Sequence, residues 1–294
     1  MGRSCPVSIP ADPAPLAGTL LLPDGPGPHP ALLLWAGCGP VDRDGNTPGL
    51  TNNSLRLLAE GLADAGIATL RTDKRGVGAS HAAAPDEAAL TLDSYVADAV
   101  RWMEALSGDA AIARAGLLGH SEGALVATLA ARRLRADRLV LVAGLGVPAG
   151  TAILRQLADA GAPAELVDAA REVIARLLRG EAVADVPPGL ASLFRPSVQP
   201  YVTSWMLRDP AGELAEVTCP VLAVQGTADL QVRATDARLL AAARPGAGLL
   251  LVPGMNHVLK APAAGRAANV ASYSEPGLAL APGLVDGIAE FVLG

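Results

Sequence analysis

The sequence predicts an α/β fold: a mostly parallel central sheet flanked by helices, with a helical insertion over the strand tips. Three observations carry this. Short apolar runs alternate with amphipathic stretches from residue 31 to residue 143, the rhythm of a parallel sheet wrapped by helices. The rhythm lapses from about Val147 to Glu216, where helical periodicity continues without strand-like runs. Between these regions, the strand-like Ala115–Leu118 passes through Gly119-His120-Ser121-Glu122-Gly123 into an Ala- and Leu-rich helix, Ala124 to Arg135. Residues 1–146 and 217–294 are therefore assigned to the core and 147–216 to the helical cap insertion.

In chain order, Leu16 to Leu22 reads as an early strand, closed by the Pro/Gly turn of residues 23–28. Ala31 to Trp35 is continuously apolar, as in a strand buried on both faces. It opens into Ala36-Gly37-Cys38-Gly39-Pro40 and the polar loop Asp42-Arg43-Asp44-Gly45-Asn46. Leu55, Leu58, Leu62 and Ala65 recur at helical spacing, so Asn53 to Ala65 is a helix that Gly66 ends. Ile67 to Thr72 is the next strand and leads into Asp73-Lys74-Arg75-Gly76-Val77-Gly78-Ala79-Ser80. Leu92 to Leu106 is helical, with Asp93 or Ser94 near its cap and Val96, Val100, Met103 and Leu106 on one stripe. Arg138 to Val142 is a strand. Within the insertion, helices are expected over Ala152 to Ala160, Glu165 to Leu178 and Ser197 to Leu207. The sheet resumes at Pro220 to Gln225, followed by a helix (Val232 to Ala243), a strand (Gly248 to Val252) and a closing helix (Leu278 to Val292).

Composition narrows the function. A chain of 294 residues with 51% hydrophobic residues has enough apolar surface for a core without metal or disulfide support. The net charge of −6 and the absence of a basic cluster argue against nucleic acid as a partner. Cys5, Cys38 and Cys219 are odd in number and widely spaced, which implies no disulfide framework and a reduced, cytoplasmic setting. There is no Cys-x-x-Cys or His-rich metal spacing, so neither metal nor cofactor is expected. Residues 1–15 lack the apolar stretch of a signal peptide, and apolar runs break before about 18 residues, so no membrane span is expected.

The chemistry centres on Ser121. A serine at a sharp strand-to-helix turn is presented above the sheet, and the helix that follows points its N-terminus at the reaction centre. A hydroxyl is a weak nucleophile and needs a base, itself oriented by a third group. The chain has four histidines. His29 lies in a Pro-rich turn before a strand, His81 in the loop after Gly78, and His120 adjoins Ser121 but points to another side. His257 lies in the loop directly after the last strand and is the expected base. The orienting carboxylate is expected at Asp229, after the strand Val221 to Gln225, with Asp236 the local rival. For an oxyanion, one N–H is expected from Glu122. The other comes from the Gly37-Cys38-Gly39 loop, Cys38 first, with Gly37 or Gly39 as alternatives, since Pro40 has no N–H. Arg43, Asp44, Asn46, Lys74 and Arg75 are read as loop-holding ion pairs and turn residues ahead of substrate contacts.

Taken together, Gly37-Cys38-Gly39-Pro40 with Asp42–Asn46, Asp73–Gly78, Gly119–Gly123, Gln225–Val232 and Asn256-His257-Val258-Leu259-Lys260 resemble bacterial α/β-hydrolases of the serine carboxylesterase type. The resemblance covers most of the chain and implies an α/β-hydrolase fold with a helical cap, and an esterase-like acyl hydrolase with the triad Ser121, Asp229, His257. It departs from the family pattern at Trp35-Ala36, where many relatives carry a histidine, and at Cys38, where serine is common. A small acyl ester is the expected substrate, bound beneath the cap at 147–216. A peptidase or thioesterase of the same fold is the alternative within the enzymes, and a catalytically silent ligand-binding fold is the alternative outside them.

Overall fold

The structure, a computed structural model, describes residues 2–294. Its strands are β1 (Arg3–Ile9), β2 (Leu16–Leu22), β3 (His29–Trp35), β4 (Ala68–Thr72), β5 (Ile112–His120), β6 (Leu139–Val142), β7 (Val221–Gly226) and β8 (Gly248–Val252). They form one sheet in the order β1-β2-β4-β3-β5-β6-β7-β8. β1 and β2 pair antiparallel, as do β2 and β4, and every later pairing is parallel.

The helices are α1 (Ser54–Asp64), α2 (Leu92–Ser107), α3 (Glu122–Arg133), α4 (Ala149–Asp159), α5 (Ala164–Leu178), α6 (Ala191–Phe194), α7 (Gln199–Met206), α8 (Pro210–Ala215), α9 (Ala234–Ala243), α10 (Arg266–Ala271) and α11 (Leu284–Leu293). The continuous apolar runs of the central strands bury both faces of the sheet. Leu33, Trp35, Leu117 and Leu141 pack with Val96 and Ala99 of α2, Val126 and Leu129 of α3 and Leu240 of α9. The alternate residues Leu32, Leu34, Leu118 and Val142 pack with Leu55, Leu58 and Leu62 of α1 and Leu284 and Ile288 of α11.

Between β6 and β7 the chain is helical. Ile153, Ile174, Leu177, Phe194, Val202 and Met206 form a hydrophobic cluster of their own. The buried Gln199 side chain binds the Val183 N–H and the Val183 and Phe194 carbonyls, closing the turns around α6. α8 instead lends Leu214 to the core beneath. Several polar bonds dock these helices on the sheet domain: Leu92 N–H to Ser204 Oγ at 2.8 Å, Arg208 to Asp93 at 2.8 Å and Arg155 to Asp236 at 2.7 Å.

The structure differs from the sequence reading at the margins. β1 is an additional strand; it is a polar edge segment containing Pro6, and Pro is tolerated in a strand that pairs on one side only. α2 is capped by Thr91, whose side chain closes a capping box with Ser94. The last helix starts at Leu284, not Leu278, because Pro282 and the left-handed Gly283 (φ 82°) precede it. α10 is also additional, a short helix with no apolar stripe to announce it.

Candidate active site

Parallel strands bring their C-terminal tips to one edge, where α/β sheets bind ligands. β3 ends in Gly37-Cys38-Gly39, β4 in Asp73-Lys74, β5 in Ser121, β7 in the Asp229 loop and β8 in the His257 loop. Trp35 of β3 is in register with Gly119 of β5, so the Gly37 loop lies beside Ser121. A Cβ on Gly37 would sit 3.1 Å from Ser121 Cβ, and one on Gly123 would meet the Trp35 carbonyl oxygen at 2.5 Å. The small residues are thus what lets three chain segments converge at this point.

Ser121 itself has φ 57° and ψ −122°, a backbone conformation unfavourable for any residue but glycine. Its N–H is held by the Val142 carbonyl at 2.8 Å. The strain is sustained by β5 ending and α3 beginning at once. It lifts a half-buried hydroxyl clear of the sheet at the N-terminus of α3.

Asp229 and His257 meet. His257 Nδ1–H donates to Asp229 Oδ2 at 2.9 Å. Asp229 is fixed on its other sides: Oδ1 accepts the Gln231 and Val232 N–H groups at 2.8 and 3.0 Å, and Oδ2 accepts Gln225 Nε2 at 3.0 Å. Burial raises the pKa of this carboxyl, but His257 and the backbone donors outweigh it and hold it below the ordinary value. An imidazole held in this way keeps Nε2 as its proton acceptor. Ser121 Oγ makes no hydrogen bond to His257 in this structure, a link that tightens in many hydrolases only when substrate is bound. Asp236, the rival acid, is spent elsewhere, accepting from Gly146 N at 3.1 Å and Arg155 at 2.7 Å.

His120 has a role that the sequence did not disclose. Its Nε2–H donates to the His257 carbonyl at 2.8 Å, and the two rings lie 4.9 Å apart. Burial, and next the neighbouring His257, lower its pKa to about 3, so it stands neutral and holds the His257 backbone. The loop is also anchored by buried Asn256, which bonds Ser272 Oγ at 2.7 Å and the Lys260 N–H at 3.0 Å. His29 opens β3 half-buried and His81 is exposed.

Beside Ser121, the Glu122 N–H opens α3 and has no intrahelical partner. The Glu122 side chain is buried; Tyr201 of α7 donates to its Oε1, and Oε2 has no partner. Burial moves its pKa up, and the Lys74 charge opposes that. Lys74 is 1% exposed, lies 5.4 Å from the Tyr95 ring centre, and donates through Nζ to the Gly37 carbonyl and, at 2.8 Å, to the Gly39 carbonyl. Burial lowers its pKa, against the pull of Glu122.

Cys38 is a free cysteine in an exposed loop. Desolvation on the protein side and then the Glu122 charge push its thiol up to about 11. The thiol is therefore protonated at neutral pH, which leaves it a poor nucleophile. Arg43 and Asp44 hold loops: Asp73 accepts the Arg43 N–H at 2.9 Å, its guanidinium at 2.6 Å and the Ala79 N–H at 2.8 Å, while Asp44 pairs with Arg71. Asn46 accepts the Asn52 and Asn53 N–H groups at 2.9 and 2.8 Å, and Arg75 grips Asp98 at 2.6 Å.

Between the loop holding Cys38 and Gly39 and the insertion lies a cavity of about 340 Å³. Its walls are largely apolar: Val77, Leu90 and Tyr95 from the core, and Ile153, Val202 and Trp205 from the insertion. The one acid on its lining, Glu87, is held by Arg195 at 3.0 Å and by Ser197 at 2.5 Å.

The chain is similar to known proteins in ways that agree with this architecture. A family described as serine aminopeptidase, S33, matches residues 49–183, a stretch that includes Ser121. Esterase EstD of Thermotoga maritima is 30% identical over 251 residues, which is 83% of this chain and 58% of that protein, so the chain spans under two thirds of the relative's length. Among solved structures, Est1E from Butyrivibrio proteoclasticus superposes with a TM-score of 0.62 at 17% identity, covering 98% of this chain and 97% of that one. The esterase domain of a Rhodothermus marinus protein superposes with a TM-score of 0.55 at 17% identity, over 93% and 96% of the two chains. Strand order, the strained serine turn and these superpositions agree: the chain has the α/β-hydrolase fold.

Proposed function

We propose that the protein is a serine hydrolase that cleaves carboxylic esters through an acyl-enzyme on Ser121. The reading is carried by one conjunction: a serine at φ 57° on a strand tip, in a site where a carboxylate fixes His257 through Nδ1 at 2.9 Å. His257 Nε2 takes the Ser121 proton as Oγ attacks the ester carbonyl. The Cys38 and Glu122 N–H groups receive the oxyanion, each such donor contributing about 3 kcal/mol in the transition state. His257 then protonates the departing alcohol, and a water that it deprotonates releases the acyl group. Asp229 keeps the imidazole in the required tautomer and stabilises its cation.

Likeness to an esterase supports an ester substrate. The description of the matched family favours a second reading, an aminopeptidase. An aminopeptidase must hold a substrate ammonium, and the cavity's one acid already serves Arg195 and Ser197. An uncharged acyl group suits these walls better. A thioester would fit the same geometry.

A panel of p-nitrophenyl butyrate, a butyryl thioester and an aminoacyl p-nitroanilide separates the three. The butyrate ester is expected to be the best substrate. Ser121→Ala should lower its turnover by on the order of 10⁶, and Asp229→Asn by about 10⁴. Equal turnover by wild type and Ser121→Ala would sink the assignment. A folded wild type that takes no fluorophosphonate label would favour a silent binding protein.

A further inference from the structure

We infer that Lys74 is a positioning residue for the reaction proposed above: by binding the carbonyls of Gly37 and Gly39 it aims the Cys38 N–H at the oxyanion. The inference rests on the esterase reading and deepens it. In a trans peptide the C=O of one residue and the N–H of the next point in opposite directions. Lys74 Nζ holds the Gly37 carbonyl from inside the protein, so the Cys38 N–H of that same peptide faces away from Lys74. The second bond, 2.8 Å to the Gly39 carbonyl, fixes the far end of the loop, where Gly39 adopts φ 74°. Glycines at 37 and 39 leave the loop few conformational restraints of its own. The restraint comes from a side chain 35 and 37 residues away in sequence.

The composition points the same way. This chain uses arginine almost throughout and has only two lysines, Lys74 and Lys260. Both are buried, and both spend their ammonium on backbone carbonyls of loops, Lys260 on that of Glu275. A compact ammonium with three donors suits two carbonyls in a narrow space, where a planar guanidinium does not. Glu122 and the Tyr95 ring supply the compensating negative potential.

The test compares wild type with Lys74→Met on p-nitrophenyl butyrate, and measures the affinity of both for a trifluoromethyl ketone, which forms a tetrahedral adduct bearing the oxyanion. Circular dichroism and thermal melting establish folding. The expected result is a fall in kcat of about 10²–10³, the range for loss of one oxyanion donor, with KM within about threefold. Ketone affinity should weaken in step with kcat. A purely structural lysine would lower the melting temperature without splitting kcat from KM or weakening the ketone. A folded Lys74→Met with wild-type kcat, or with unaltered ketone affinity, overturns the inference. Should that variant not fold, the wild-type Cys38 amide proton decides by NMR: it shifts downfield when the ketone binds, and an unmoved resonance overturns the inference. Failure of the esterase reading looks different, since wild type itself would then neither hydrolyse the ester nor react with a fluorophosphonate.

Discussion

At the scale of single residues, the site depends on buried polar groups being kept in one protonation state. His120 shows this best. Its pKa is lowered from 6.5 to about 3 in the folded protein by burial and by His257, while Asp229, the nearby carboxylate, pulls the other way. The unfolded chain therefore binds a proton below about pH 6.5 that the folded chain refuses. The stability that a neutral His120 permits is complete above that pH and is lost as pH falls towards about 3. His120→Gln removes the titration and keeps a donor for the His257 carbonyl. Urea unfolding between about pH 4.5 and 6.5 should show the variant losing stability less steeply than wild type, by up to about 1.4 kcal/mol per pH unit. Parallel curves would show that His120 does not set the acid limit. None of this was legible in the sequence, where His120 is only a neighbour of Ser121. Ser121, Asp229 and His257 were legible because each sits in a loop just past an apolar run, in the chain order of the fold. Lys74 and His120 act through contacts 37 and 137 residues away in sequence, which no local pattern records.

At the scale of elements, the reading by periodicity worked where an element faces the core on one stripe or on both sides. β2 and β8 have the bounds that their apolar runs indicate, and α1 and α5 lie within a residue of theirs. It missed β1 and α10, whose residues alternate or scatter in exposure because they lie at the margins of the fold. The element with most bearing on the site is α7. Through Tyr201 it reaches the residue after Ser121, donating to Glu122 Oε1, while Oε2 stays unpaired in the interior. Tyr201→Phe would strip this carboxyl of its one side-chain partner. An unsatisfied buried polar group costs about 1–3 kcal/mol. Urea denaturation at neutral pH should show a loss of that size, and an unchanged midpoint would mean that water replaces the hydroxyl. Glu122→Gln, which removes the charge and keeps an acceptor, should lose less than Tyr201→Phe.

At the scale of the molecule, the proposed chemistry and its selectivity stand on different packing. Ser121, Asp229 and His257 are held at the tips of the sheet, whose two faces are covered by separate hydrophobic clusters, and the Ser121 turn is locked by backbone passing close to its glycines. The cavity lined by Cys38 and Gly39 has one wall from that core and the other from helices with their own cluster. A change in the second wall should therefore alter which acyl chains are accepted and leave the nucleophile untouched. Val198 tests this, since it lines the cavity between α6 and α7 and is only half-buried. Val198→Trp would fill part of the about 340 Å³ at little cost to the core. Each methylene moved from water to an apolar wall contributes about 0.8 kcal/mol. Evicting two of them should lower kcat/KM for p-nitrophenyl octanoate relative to acetate by more than about tenfold. The rate of labelling by a small fluorophosphonate should stay within about twofold of wild type, because Ser121, His257 and Asp229 all belong to the strand tips. If octanoate and acetate fell together, the cavity would not be where the acyl chain lies; if labelling fell as well, the insertion would be part of the catalytic framework and not a wall placed beside it.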